Sequence, residues 1–264
     1  LFCGLLAVAG HSVVDFNLYI LSVMMMSGLA MARFHELAAR NLKLPSLLLR
    51  PSRLVGRQVY PLIVLLLMLL PFFYFVALGM ANSHYDRGMA LAREGRVQEA
   101  DRSLVTARRL TPADERILIA HADLYRHVIA LLPPDNFKGR RTLYEDALGL
   151  LDQAQQANSL RGLTFIVRGR LYQQNPEFAG DNGNELAAES FRRALALNPL
   201  LFEARMEYAS LLLQSGKKDA ALESLDEGVR YAYPAMPELI PFYSLTARFR
   251  REAGRAEEAQ VLED

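Results

Sequence analysis

The hydrophobic and polar positions divide the chain into two halves of different texture. Up to about Ala81 the apolar residues come in long runs; from Asn82 onward they recur every three or four residues between charged ones. The clearest run is Tyr60 to Ala81, 22 residues without a formal charge. As a helix it would be roughly 33 Å long, enough to cross a hydrocarbon core about 30 Å thick. An earlier run, about 11–32, is interrupted only near its start by His11, Asp15 and Asn17, and is expected to form another span. Between them the segment 33–58 carries Arg33, Arg40, Lys43, Arg50, Arg53 and Arg57 against Glu36 alone. Short loops rich in Lys and Arg stay on the cytoplasmic side. The linker is therefore expected in the cytoplasm, with His11 and everything after Ala81 on the periplasmic side of a bacterial inner membrane. The chain opens at Leu1 inside an apolar stretch too short to span, so it is expected to be the C-terminal part of a longer multi-pass protein.

The second half, 82–264, is periodic at a longer scale. One block is Gly88, Gly95, Ala100, Leu104, Ala107 and Pro112. The spacing returns in Ala187, Phe191, Ala194 and Pro199, and again in Ala209, Gly216, Ala221, Leu225 and Gly228 before Pro234. From Ala187 to Ala221 the period is 34 residues. Small residues let antiparallel helices approach, Gly95 and Gly216 turn the chain, and the prolines separate the units. One hairpin cannot bury its own apolar face, so such units must stack.

This pattern resembles the tetratricopeptide repeat, whose period is 34. The match is clear over 81–112 and 202–234. Over 161–199, Gly169 and Tyr172 match the first helix, and the stretch from Gln173 to Glu185 lengthens the loop. Residues 115–159 fit on Ala122, Tyr125, Ala147, Leu151 and Ala154, with an insertion around Pro133 to Arg141. A partial unit follows over 238–262, with Ala247, Gly254 and Ala259. The expected fold is all-α: two transmembrane helices, then an α-solenoid of four to five helical hairpins. Such arrays bind a protein partner along one face, and Tyr85, Met89, Met206 and Ser210 are the positions expected to line it. They do not form a basic carboxylate clamp, so no particular peptide is implied.

Composition narrows the chemistry. Cys3 is the only cysteine, which excludes an internal disulfide or a cysteine-based metal site. The net charge of +1 leaves no basic patch outside the linker, so nucleic acid is not an expected partner. No metal and no cofactor are expected. Asp181 to Asn184 reads as a polar turn rather than a calcium loop.

The sharpest chemical feature is the stretch from His11 to Leu18, HSVVDFNL. An Asp at a bilayer centre costs about 2.5–3.5 kcal/mol on the insertion scale, so ionisable residues there are read as functional. On a helix His11 and Asp15 share a face, and a carboxylate beside an imidazole suits a general base. Ser12 and Asn17 add hydrogen-bonding groups at the same level. A polar cap at a helix end is the alternative.

This motif, followed by an apolar helix, a basic loop, another span and repeats, resembles the C-terminal end of the O-antigen ligase and polymerase family of bacterial inner-membrane glycosyltransferases. His11 and Ser12 match the opening of that family's periplasmic motif; position 22, a glycine in the ligase pattern, is Ser22 here. The resemblance implies transfer of a glycan from a polyprenyl diphosphate to an acceptor hydroxyl. It makes His11 and Asp15 catalytic and Ser12 and Asn17 substrate-binding. The family's catalytic core would lie upstream, so this segment alone is expected to be inactive. The rival expectation is a non-enzymatic, membrane-anchored repeat scaffold for envelope assembly.

Overall fold

The computed structural model describes residues 59–231 and 237–263, together with Arg33. His11, Ser12, Asp15, Asn17 and the span expected at 11–32 lie outside the described residues. The chain divides at Met80/Ala81 into two units.

The described secondary structure is helical, with no strand among the described residues. Helix α1, Val59–Arg93, holds the run 60–81 in its first part and the first repeat helix in its last. Among the described residues no helix is long and apolar enough to cross a membrane. The side chains of 59–65, 67, 68 and 71 lie outside those described, which leaves only the later part of the expected span. Most of the large apolar side chains described there, including Leu66, Leu70, Phe73 and Met80, are exposed, while Phe75 and Leu78 are half-buried.

From Ala81 the chain forms a tetratricopeptide-like array of helical hairpins. The end of α1 pairs with α2 (Val97–Leu110), and α3 (Glu115–Leu131) with α4 (Phe137–Ala157). Then α5 (Gly162–Gln174) pairs with α7 (Gly183–Leu197), the short α6 (Pro176–Ala179) lying in the loop between them. Next α8 (Phe202–Gln214) pairs with α9 (Lys218–Val229), and α10 (Ile240–Glu252) with the brief α11 (Ala256–Gln260).

The anchors of the sequence pattern do the packing. Ala100, Leu104, Ala107, Ala187, Phe191, Ala194, Ala209, Ala221 and Leu225 are wholly buried. Gly95 and Gly216 turn their hairpins at φ 74° and 75°, in the left-handed region where a β-carbon is penalised. Each core cluster joins one hairpin to the first helix of the next. Leu118, Ala147 and Leu171 belong to one, Phe165, Phe191 and Leu211 to another, and Leu212, Leu225 and Phe242 to a third. No hairpin completes its own core, which is why the units stack.

Two irregular regions differ from expectation in kind. The insertion around Pro133 to Arg141 is mostly helix: α4 begins at Phe137, where the Asn136 side chain accepts a hydrogen bond from the Gly139 N–H at 3.1 Å. The second hairpin thus takes up its extra residues as longer helices. The loop after α5 folds into α6, and Asp181 and Asn182 form the turn that leads into α7.

Candidate functional site

The first helices of the hairpins share one register. Counting from the small anchors Gly88, Ala122, Gly169 and Ala209, the next residues are Met89, Asp123, Arg170 and Ser210; three residues before stand Tyr85, Ile119, Ile166 and Met206. Ile119 and Ile166 are buried and floor this face in the middle of the array. Tyr85 and Met206 are half-buried towards its ends.

Polar side chains tie consecutive first helices together along the face. The Arg116 guanidinium donates to Asn82 Oδ1 at 3.0 Å, linking α3 to α1, and is held by Asp114 at 2.7 Å. It lies over the Tyr85 ring, 5.9 Å from the centroid. Arg126, buried on α3, donates to Asp123 at 2.8 Å and to Gln174 Oε1 on α5 at 2.7 Å. Arg170 on α5 reaches α8, meeting Glu207 at 2.9 Å and Glu203 at 2.6 Å. Each arginine has a carboxylate beside it. The face is therefore rich in fixed hydrogen-bonding groups but close to neutral in charge, and it presents no cationic clamp.

The four residues expected to line the face fall on it in different states. Tyr85 is engaged by Arg116, and Met206 packs against the core of the fourth hairpin. The Ser210 hydroxyl donates to the Met206 carbonyl at 2.8 Å, so its proton is spent on its own helix. Met89 is half-buried on the same side. The sequence reading missed the arginine links. Their register gave the only signal, since Asp123 and Arg170 hold the same position as Met89 and Ser210.

A second polar cluster lies between α2, α3 and α4. His121 is fully buried, and its Nε2 meets Asp101 Oδ1 at 2.8 Å, while Nδ1 has no hydrogen-bond partner. Set against the Asp101 carboxylate, the imidazole donates through Nε2–H. Burial pushes its pKa below the ordinary value, against the opposing hydrogen bond to Asp101. The Tyr125 ring packs 4.5 Å from the imidazole, and its hydroxyl is pushed up to about 12, chiefly by burial. No nucleophile stands beside this pair, and it acts as a packing element.

A cleft of about 840 Å³ opens among α7, α8 and α9. Its charges largely satisfy one another. Arg205, wholly buried, donates to Glu227 at 2.8 Å, and Asp226 is shared by Arg250 at 2.8 Å and Arg255 at 2.6 Å. Among the described residues no group of three or more His, Cys, Asp or Glu is placed to hold a metal ion.

No family model matches the chain, and no curated protein matches it. Solved structures of helical-repeat proteins are similar in backbone. The crystal structure of the MamA protein is 17% identical over 69% of this chain and 87% of that chain, with a TM-score of 0.46. TTC0263, a thermophilic TPR protein of Thermus thermophilus, is 17% identical over the same shares, with a TM-score of 0.49.

Proposed function

We propose that the chain is a membrane-anchored tetratricopeptide-like scaffold whose first-helix face takes a protein partner. The observation that carries this reading is the row of arginine links from α1 through α3 and α5 to α8. They fix neighbouring hairpins against each other while leaving carboxylates, amides and half-buried apolar groups along one continuous face. A partner bound there meets a preordered surface, which lowers the entropic cost of association. A segment of mixed polarity suits it, since the face offers donors and acceptors in near balance.

The anchor reading rests on the uncharged run 60–81 and the exposed apolar side chains of that part of α1. The cation-rich linker 33–58 supports an inner-membrane location with the repeats on the periplasmic side. The glycan-transfer expectation, with its polyprenyl diphosphate donor and acceptor hydroxyl, rests on the motif from His11 to Leu18 and the layout of spans, basic loop and repeats after it.

Site-specific photocrosslinking in cells tests the scaffold reading. A photoreactive side chain at Met89 or Met206 is expected to capture one discrete protein band, whereas the same group at Leu222 on α9 captures none. Equal capture from both faces, or capture from α9 only, would sink the assignment.

A further inference from the structure

In each hairpin the start of the first helix and the end of the second lie at the same edge of the array. Ala81 packs with Ala107, near the end of α2, and Ile117, near the start of α3, so it marks that edge. The loops 158–161 and 198–201 lie side by side there: a β-carbon on Gly162 would meet Leu201 Cδ1 at 2.7 Å. Ala81 is also the last residue of the apolar run 60–81.

The edge carries large apolar side chains that the array leaves in the open. Leu160 is 75% exposed, Leu200 55% and Ile240 60%, with Leu163 and Tyr231 beside them. Both leucine loops are built alike. Asn158 and Asn198 each accept a hydrogen bond from the backbone N–H two residues on, Leu160 at 3.1 Å and Leu200 at 3.0 Å, which holds the leucines at the loop tips. Three exposed arginines interleave with them: Arg109, Arg161 and Arg230. Their side chains have no hydrogen-bond or ion-pair partner among the described residues, in contrast to the paired arginines of the first-helix face. Of the carboxylates nearby, Asp114, Glu203 and Glu227 are already tied to Arg116, Arg170 and Arg205, while Glu115 and Glu238 have no ion pair among the described residues.

We infer that this edge is a lipid-docking surface, seating the repeat array on the headgroup layer of an anionic bilayer. The inference rests on the membrane-anchor reading above. Leucine and isoleucine at loop tips reach the acyl boundary, tyrosine sits at headgroup level, and unpaired arginines meet lipid phosphates while their stems lie on apolar surface. The opposite edge, where Gly95, Gly216 and Gly254 turn the hairpins, exposes Leu131 and Phe137 in the second hairpin and otherwise bears Glu94, Arg96, Lys217, Lys218 and Arg255; it is the edge left in water. Docked in this way, the array holds its first-helix face at a fixed height above the bilayer.

The chain contains no tryptophan, so a single substitution is a lone fluorophore. The whole chain is reconstituted in vesicles of mixed zwitterionic and anionic phospholipid, with or without brominated acyl chains. Leu160→Trp and Leu200→Trp are expected to lose roughly half their emission to the brominated lipid, as side chains about 5–10 Å into the interface would. Ser215→Trp on the opposite edge loses none. Circular dichroism checks that each variant keeps its helix content. Quenching of Leu66→Trp without quenching at Leu160→Trp and Leu200→Trp overturns the docking and leaves the anchor standing. Absence of quenching at all three overturns both.

Discussion

Gly169 sits on α5 where Phe191 of α7 crosses it. A β-carbon there would lie 2.8 Å from Phe191 Cε1, 2.9 Å from Cζ and 3.0 Å from Cδ1. Phe191 is wholly buried in one cluster with Phe165, Ile166, Ala187 and Ala194. Two effects compete in Gly169→Ala. Helix propensity favours alanine by about 1 kcal/mol. Overpacking a closed core costs about 1–3 kcal/mol. With three ring atoms at or inside 3.0 Å the second effect wins, and the net loss is about 1 kcal/mol, roughly fivefold in the folding equilibrium. Gly149→Ala on α4 is the matched control. Nothing lies within 4 Å of its β-carbon, so it should gain about 0.5–1 kcal/mol. Urea titration of the whole chain in detergent, followed by circular dichroism and by amide exchange in α5 and α7, reads both. Phe191→Leu removes ring atoms from the clash, so the cost of Gly169→Ala should shrink in that background. If Gly169→Ala matches or exceeds the parent in stability, as Gly149→Ala should, the close-crossing account is wrong.

Two further outcomes follow from the same reasoning. Gly216→Ala forces a side chain into φ 75° and should cost about 1–2 kcal/mol, seen as early amide exchange in α8 and α9 with little change in α3 and α4. His121 is held neutral by burial, with its pKa lowered, so the unfolded chain binds the proton first. Stability is full above the unfolded value of about 6.5 and falls as the pH drops from there towards the lowered folded value. His121→Leu should remove that slope; a slope that survives unchanged assigns it to other groups.

How far the sequence could be read depends on the kind of signal. The hairpins 81–112 and 202–234 were legible because close helix packing demands small or apolar residues at fixed spacing, and those residues turned out wholly buried. The insertion around Pro133 to Arg141 was not, because whether extra residues form a loop or lengthen a helix depends on what the helix packs against. Tyr144, three residues past the expected insertion, is buried in the cluster of Leu118, Ala147 and Leu171, and α4 extends back from it to Phe137.

The face was half legible. The register of the small anchors located Tyr85, Met89, Met206 and Ser210 on the first helices. It could not say that Arg126 reaches Gln174, 48 residues away, or that Arg170 closes on Glu203 and Glu207. Likewise nothing in the sequence singled out Leu160 and Leu200, whose loops stacking brings to one edge. Local spacing is written in the chain because each hairpin is a local object. Which arginines are neutralised and which leucines stay uncovered was decided only by tertiary structure, because both depend on the neighbour that stacking supplies.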